Sequence, residues 1–328
     1  MASNRRLVVG ITMGDPCGIG PEVVLRALAR ASVRRSAQFV VLGSSGILNS
    51  VSRKFAISAP DKVSVVNVAD LPRSLALKGE PTAAGGRAAI AFVERGIQLA
   101  MDAQIDALVT APINKRAVSM AGLSWPGHTE LLQERTGSRQ AVMLMIGGGL
   151  RVAMVTTHHA LRDVAQLITR ERVLGVIRIL NDALRDCFGI NKPRIAVCGF
   201  NPHAGEAGRF GDEETKAIVP ALNAAELEGI RCFGPIPADV VFRHACGKAA
   251  RYDAVVAMYH DQGCIPVKLL AFESGVNVTL GLPIVRTSPD HGTAYDIVRE
   301  GRADPRSMIA AIETAVAMAQ RRRETEDG

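Results

Sequence analysis

A chain of 328 residues, 48% hydrophobic and 22% charged, can build two α/β domains or one large one, which excludes a small disulfide-stapled scaffold. Its net charge of +7 would suit a polyanion, yet the excess sits in scattered arginines and the Arg321–Arg323 run, and one Trp, three Tyr and nine Phe offer few stacking platforms, so no nucleic acid is expected. No apolar run reaches the roughly eighteen residues of a membrane helix, the N-terminus meets Gly and Asp before completing a signal core, and the six cysteines lack a C-x-x-C pair, so a soluble cytoplasmic protein with reduced thiols and no membrane association is expected.

In chain order, residues 6–13 (RLVVGITM) predict a first strand, GDPCGIGPE a loop, and Pro21 the first turn of a helix. The glycines at 14, 18 and 20 do not have G-x-G-x-x-G spacing, so by pattern alone the loop reads as a tight turn. Strands follow at 38–43, 63–68 and 105–111, with a long helix at 86–102. That alternation predicts βαβ units and a parallel sheet. GHTELLQERT (127–136) reads as a loop feeding a helix with Thr129 as N-cap, His128 lying just outside its positive end. Segments 141–148 and 150–160, joined by a Gly-rich turn, predict an antiparallel pair, with His158 and His159 on opposite faces if the strand continues.

Helices are expected over 161–188, then a strand at 194–199, a loop at 200–214, a helix to about 228, a strand at 230–234 and a helix near 238–249. The tail RRRETEDG reads as frayed. The apolar run Asp253–Tyr259 predicts a strand buried on both faces, with His260 and Asp261 at its C-terminal end, the edge where open α/β sheets bind ligands.

His158, His203 and His260 each follow an apolar strand. Three neutral imidazoles converging at one sheet edge would suit a catalytic divalent metal, whereas three separate loop histidines remain the plainer alternative. Lys268, Asn277 and Arg286 fall within nineteen residues and beside apolar runs, a combination suited to a phosphate or carboxylate. A metal-dependent phosphohydrolase and a basic nucleic-acid binder are the rival classes.

Read together, GDPCGIGPE (14–22), GHTE (127–130), TTH (156–158), NPHAGE (201–206), YHDQG (259–263), and GVNVTLGLP with RTSPDHGTA (275–294) resemble, in order, the motifs of the 4-hydroxythreonine-4-phosphate dehydrogenase family. The resemblance implies an α/β fold of two α/β/α domains with a central cleft, isocitrate/isopropylmalate dehydrogenase-like, with a first domain of 1–135 plus 290–328 and a second of 136–289. It implies a homodimer whose active site is shared across the interface. His158, His203 and His260 then match the divalent-metal ligands (Zn, Mg or Co), His128, Thr129, Lys268, Asn277 and Arg286 match contacts to a small phosphorylated substrate, and His291, Gly292 and Thr293 match a loop contacting NAD or NADP. The implied activity is oxidation of a phosphorylated four-carbon hydroxy acid with following decarboxylation. GCIPVK at 263–268 and AGRFGDEE at 207–214 are more similar to the branch acting on 4-phospho-D-threonate and 4-phospho-D-erythronate.

Overall fold

The computed structural model describes residues 5–58, 63–125 and 127–326. Two compact units divide the chain, one formed by Met1–Arg139 with Leu282–Gly328, the other by Gln140–Gly281.

The first unit is built on five strands: β1 (Val8–Thr12), β2 (Gln38–Gly43), β3 (Ser64–Asn67), β4 (Ala107–Thr110) and, from the C-terminal segment, a strand Arg286–Pro289. Their order is β3–β2–β1–β4–(Arg286–Pro289), and every pairing is parallel. All four residues of β4 are buried, as expected of a strand covered on both faces. Helix Ala83–Met101 packs on β1, β2 and β4, and helix Arg306–Glu326 packs on β4 and Arg286–Pro289. Thr82 caps the first of these by accepting from the Gly85 N–H at 2.9 Å. Inside it, Gly86 lets helix Lys115–Met120 approach so closely that a Cβ would lie 2.0 Å from the Ala117 carbonyl oxygen.

The second unit holds β5 (Val142–Gly147), β6 (Leu150–Met154), β7 (Ile195–Cys198), β8 (Cys232–Ile236), β9 (Ala254–Ala257) and β10 (Val276–Leu280), so that Arg286–Pro289 is β11. The order is β10–β5–β6–β9–β7–β8; β5 runs antiparallel to both β10 and β6, and the other pairings are parallel. The antiparallel β5–β6 pair and the buried, parallel-flanked β9 match the sequence expectations. Met145, Val152, Val255 and Val267 centre its core.

Several local expectations are corrected. β6 stops at Met154, so His158 and His159 lie in a loop and strand alternation does not apply to them. The helices expected over 161–188 are present as Leu161–Leu167 and Arg170–Asp186, with Thr169 capping the second through the Arg172 N–H. Residues 238–249 hold only Ala238–Val241 and a 3₁₀ turn, Phe242–His244. Helix His128–Thr136 is capped at Gly127, with His128 its first residue and Thr129 inside the first turn. The C-terminal tail is helical through Glu326 because Arg323 is held by Asp106 at 2.6 Å and by the Arg5 carbonyl; 327–328 lie outside the described residues. His260 opens a helix, His260–Ala271, which the sequence reading does not include.

Candidate active site

In the first unit, the loop after β1 carries the stretch that follows β11. Gly14 has φ +73°, and a Cβ there would meet the Pro112 carbonyl oxygen at 2.5 Å, so only glycine fits. Asp15 is fully buried. One of its oxygens accepts from the Cys17 N–H (2.8 Å), the other from the Tyr295 hydroxyl (2.6 Å). Burial raises the Asp15 carboxyl above its ordinary range, against the pull of these donors. The Ile19 N–H donates to the Thr293 carbonyl at 3.0 Å, and Gly18 leaves room for that contact. His291, Gly292 and Thr293 are therefore fastened at one end. His291 is held below its usual pKa by burial, its Nδ1 lies 3.0 Å from the Gly292 carbonyl oxygen, and its Nε2 is buried with no hydrogen-bond partner. A neutral ring donating through Nδ1 satisfies that carbonyl. Gly292 faces open space.

Arg286, the first residue of β11, is 2% exposed. Its Nη2 donates to Thr110 Oγ1, at the end of β4, at 2.6 Å. Burial pushes the guanidinium down to about 9, so it remains charged at neutral pH. Burial and the Arg286 charge together hold His128 well below its ordinary value. Its Nε2 is buried without a hydrogen-bond partner. A buried cation, a hydroxyl and a neutral imidazole at a helix N-terminus are the donor set for an anionic oxygen group. Thr129 lies in the same helical turn, half-buried.

In the second unit, His158 and His260 follow the neighbouring parallel strands β6 and β9. Hydrogen bonds extend this pairing beyond both strands, from the Val155 N–H to the Ala257 carbonyl (2.9 Å) and from the Thr156 N–H and hydroxyl to the Met258 carbonyl (3.1 and 2.8 Å). Gln262 ties in the next strand, accepting from the Met258 N–H (2.6 Å) and donating to the Gly199 carbonyl (2.8 Å). The two imidazole centroids are consequently 5.5 Å apart. Two rings bound to one tetrahedral ion through metal–nitrogen bonds of ~2.0–2.1 Å would have centroids about 5.2 Å apart. His260 Nδ1 lies 2.7 Å from Asp261 Oδ1, the carboxylate–imidazole arrangement that fixes which ring nitrogen faces a metal. This pair fits a divalent ion. Among the described residues, however, no three His, Cys, Asp or Glu side chains are grouped to hold one, so His203 does not complete the pair within a single chain.

His203 lies in an unusual backbone segment. Residues 203–208 all have positive φ: His203 54°, Ala204 53°, Gly205 81°, Glu206 43°, Ala207 56° and Gly208 89°. For each of the four non-glycine residues this left-handed conformation costs roughly 1–2 kcal/mol, so other contacts must hold it. At the loop's entry the buried Glu214 carboxylate accepts through Oε1 from the Phe200 N–H (2.8 Å) and the Asn201 N–H (2.7 Å), and through Oε2 from Asn201 Nδ2 (2.9 Å).

Lys268 stands two turns along the helix begun by His260, and Asn277 is the second residue of β10; both are half-buried. Cys264 Sγ lies 3.5 Å from His260 Nε2, while Ile265 is 63% exposed on the outer side of the helix. The structure thus brings together His158 with His260, and Arg286 with His128. Asp15, Thr110, Glu214, Gln262 and Tyr295 are additions that sequence reading misses: Asp15 and Gln262 stand inside the quoted motifs, but the bonds from Tyr295 to Asp15, from Arg286 to Thr110 and from Gln262 to the Gly199 carbonyl join residues distant in the chain.

Residues 21–315 match the family model described as pyridoxal phosphate biosynthetic protein PdxA. The 4-hydroxythreonine-4-phosphate dehydrogenase of Desulfosudis oleivorans is 46% identical over 95% of this chain and 96% of its own. A protein of Oceanobacillus iheyensis, provisionally named a D-threonate 4-phosphate dehydrogenase, is 40% identical over 96% of this chain and 99% of its own. The crystal structure of 4-hydroxythreonine-4-phosphate dehydrogenase from Klebsiella pneumoniae superposes with a TM-score of 0.85 at 40% identity, covering 97% of this chain and 100% of that one. Isocitrate dehydrogenase from Methylococcus capsulatus shares the fold alone, with a TM-score of 0.50 at 15% identity over 98% of this chain and 89% of that one. With a family model spanning most of its length and relatives of 40–46% identity end to end, the chain belongs to the PdxA family of 4-hydroxythreonine-4-phosphate dehydrogenases.

Proposed function

We propose that the protein oxidises the secondary alcohol of a phosphorylated four-carbon hydroxy acid of the 4-phosphohydroxy-L-threonine type, with NAD or NADP as hydride acceptor and decarboxylation following. The observation that carries this reading is the Arg286–Thr110–His128 group. A charge so deeply buried is costly to keep, and an anionic substrate oxygen would accept charge-assisted hydrogen bonds from it. Thr129, Lys268 and Asn277 are assigned to the same substrate, and His291, Gly292 and Thr293 to the nicotinamide cofactor. The neutral His291 and the open space at Gly292 suit a loop over which a cofactor lies.

His158 and His260, with His203, are assigned as ligands of a divalent metal (Zn, Mg or Co). When bound, such an ion acts as a Lewis acid, lowering the pKa of the substrate hydroxyl. Asp261 orients His260, and Gln262 ties the end of β9, just before His260, to Gly199 at the end of β7. The chain is assigned as a cytoplasmic homodimer. Ile265, Leu269 and Phe272, 63%, 83% and 76% exposed, form an i, i+4, i+7 stripe on and just beyond the helix His260–Ala271, an apolar surface for a second copy to cover. No helix of the described residues is long and apolar enough to cross a membrane.

The second reading, 4-phospho-D-threonate or 4-phospho-D-erythronate as substrate, rests on Cys264. Its thiol beside His260 Nε2 supplies neither a strong hydrogen bond nor a counter-charge for a substrate ammonium group. The test is kcat/KM for all three acids on one preparation, followed through reduced nicotinamide with divalent metal present. Comparable values support the second reading, a hundredfold preference for the amino acid supports the first, and no reduced nicotinamide from any of them overturns both.

A further inference from the structure

We propose that Glu214 is a positioning residue: its carboxylate clamps the left-handed turn 203–208 and thereby fixes where His203 stands. The inference rests on the reading of His203 as a metal ligand and deepens it.

Left-handed backbone over six consecutive residues does not persist by local preference. The sequence supplies glycine only at 205 and 208, so the turn depends on its attachments. Internal hydrogen bonds exist, from the Glu206 N–H to the His203 carbonyl (3.3 Å) and from the Gly208 and Phe210 N–H groups to the Gly205 carbonyl (3.0 and 3.2 Å). These follow from the conformation and do not select it. Selection comes from Glu214, the first residue of a π-helical turn, Glu214–Ile218. It is 4% exposed, and its two oxygens take three N–H donors from residues 200 and 201.

Close packing ties the rest of the loop to the same group. A Cβ on Gly205 would lie 2.7 Å from Glu214 Oε2, and one on Gly211 would lie 2.4 Å from Asn201 Nδ2 and 2.6 Å from Glu213 Oε2. Glu213 accepts from Asn201 Nδ2 at 2.7 Å. The two adjacent carboxylates therefore grip Asn201, and both glycines allow the loop to fold down on them. His203 itself is exposed, with its ring 6.3 Å from that of Phe210. Its placement is set by the backbone beneath it rather than by a packed pocket, which is why the clamp matters for this ligand. Charge-assisted bonds to backbone N–H groups are stronger than neutral ones. Glutamine could keep the acceptor toward both backbone N–H groups but would turn an amide NH₂ toward Asn201 Nδ2.

The test is a Co²⁺ titration of the full-length protein, followed through the visible absorption of the bound ion, for wild type, His203→Ala, Glu214→Gln, Glu214→Ala and the double variant His203→Ala/Glu214→Ala. His203→Ala is expected to weaken Co²⁺ at least tenfold. Glu214→Gln should weaken it by about tenfold and lower kcat while KM for the nicotinamide cofactor stays unchanged, with Glu214→Ala worse. Because Glu214 acts through His203, adding Glu214→Ala to His203→Ala should cost no further affinity. The nearly isosteric Gln variant keeps the test informative if the Ala variants fail to fold. Wild-type Co²⁺ affinity in the Gln variant, or losses that multiply in the double variant, would overturn the assignment. Wild-type affinity in His203→Ala would instead remove His203 from the ligand set, and this role for Glu214 with it.

Discussion

Replacing Arg286 with Met separates stability from function at one position. The side chain is 2% exposed, and burial lowers its pKa by more than three units, to about 9. At ~1.4 kcal/mol per pH unit, that drop corresponds to a burial penalty on the order of 5 kcal/mol, an upper bound because the bond to Thr110 at 2.6 Å returns part of it. Methionine fills a similar volume without a charge. Relief of that penalty is offset by loss of the bond to Thr110, so Arg286→Met is expected to melt within a few degrees of wild type in anion-free buffer. The His128 imidazole, relieved of the neighbouring charge, should titrate at higher pH. Adding inorganic phosphate should raise the Tm of wild type by mass action and leave the variant unmoved. Thermal melts over a phosphate series measure both effects. A variant that melts well below wild type without anion, or that phosphate stabilises as strongly as wild type, would refute the view of Arg286 as a charge kept for a ligand.

Gly86→Ala places a Cβ 2.0 Å from a backbone oxygen that has no rotamer to retreat into; a loss of roughly 1–3 kcal/mol or more is expected, and an unchanged denaturation midpoint would contradict the packing of the two helices. Tyr295→Phe removes the hydroxyl that donates to Asp15, at a cost of about 1–3 kcal/mol near neutral pH. The folded-state pKa of Asp15 is already raised, so the fold favours the protonated acid and stability falls as pH climbs from 3.8 through the raised value. The variant's pKa should rise further, and its deficit should grow with pH across that window; a deficit independent of pH would argue against the Asp15 contact. Leu269→Glu puts a charge into the exposed stripe and should yield monomers in sedimentation velocity, whereas a retained dimer would place the interface elsewhere.

The parts of this fold that depend on local pattern were legible in the sequence. β9 declared itself through a short apolar run, and its four residues are all buried. The hairpin of β5 and β6 followed from a Gly-rich turn. Helix His260–Ala271 did not show, because its N-cap residue, Tyr259, makes no side-chain cap and the helix contains Gly263 and Pro266. It forms through tertiary packing: Gly263 lets it settle on β6 and β9, where a Cβ would lie 2.9 Å from Val152 and 3.1 Å from Ala257.

The candidate site divides the same way. His158 and His260 were legible because each follows a strand, and parallel neighbours bring such ends together. The Asp15–Tyr295 bond joins residues 280 positions apart, and the clamp on Asn201 depends on a carboxylate in a run, GDEE, that the sequence reading places only at the end of a loop. Nothing in NPHAGEA announces left-handed backbone at His203, Ala204, Glu206 and Ala207. The Glu214 contacts at the entry to that turn come from thirteen and fourteen residues along the chain, a constraint that no propensity scale reports.

The most direct test of the central claim is the fate of the hydrogen on the substrate carbon β to the carboxylate. 4-Phosphohydroxy-L-threonine deuterated at that carbon would be turned over with oxidised nicotinamide and a divalent metal, and the cofactor analysed by mass spectrometry. Direct oxidation predicts reduced nicotinamide carrying the deuterium, with the phosphate ester retained on the product. Inorganic phosphate released without reduced nicotinamide, or reduced nicotinamide free of label, would contradict it.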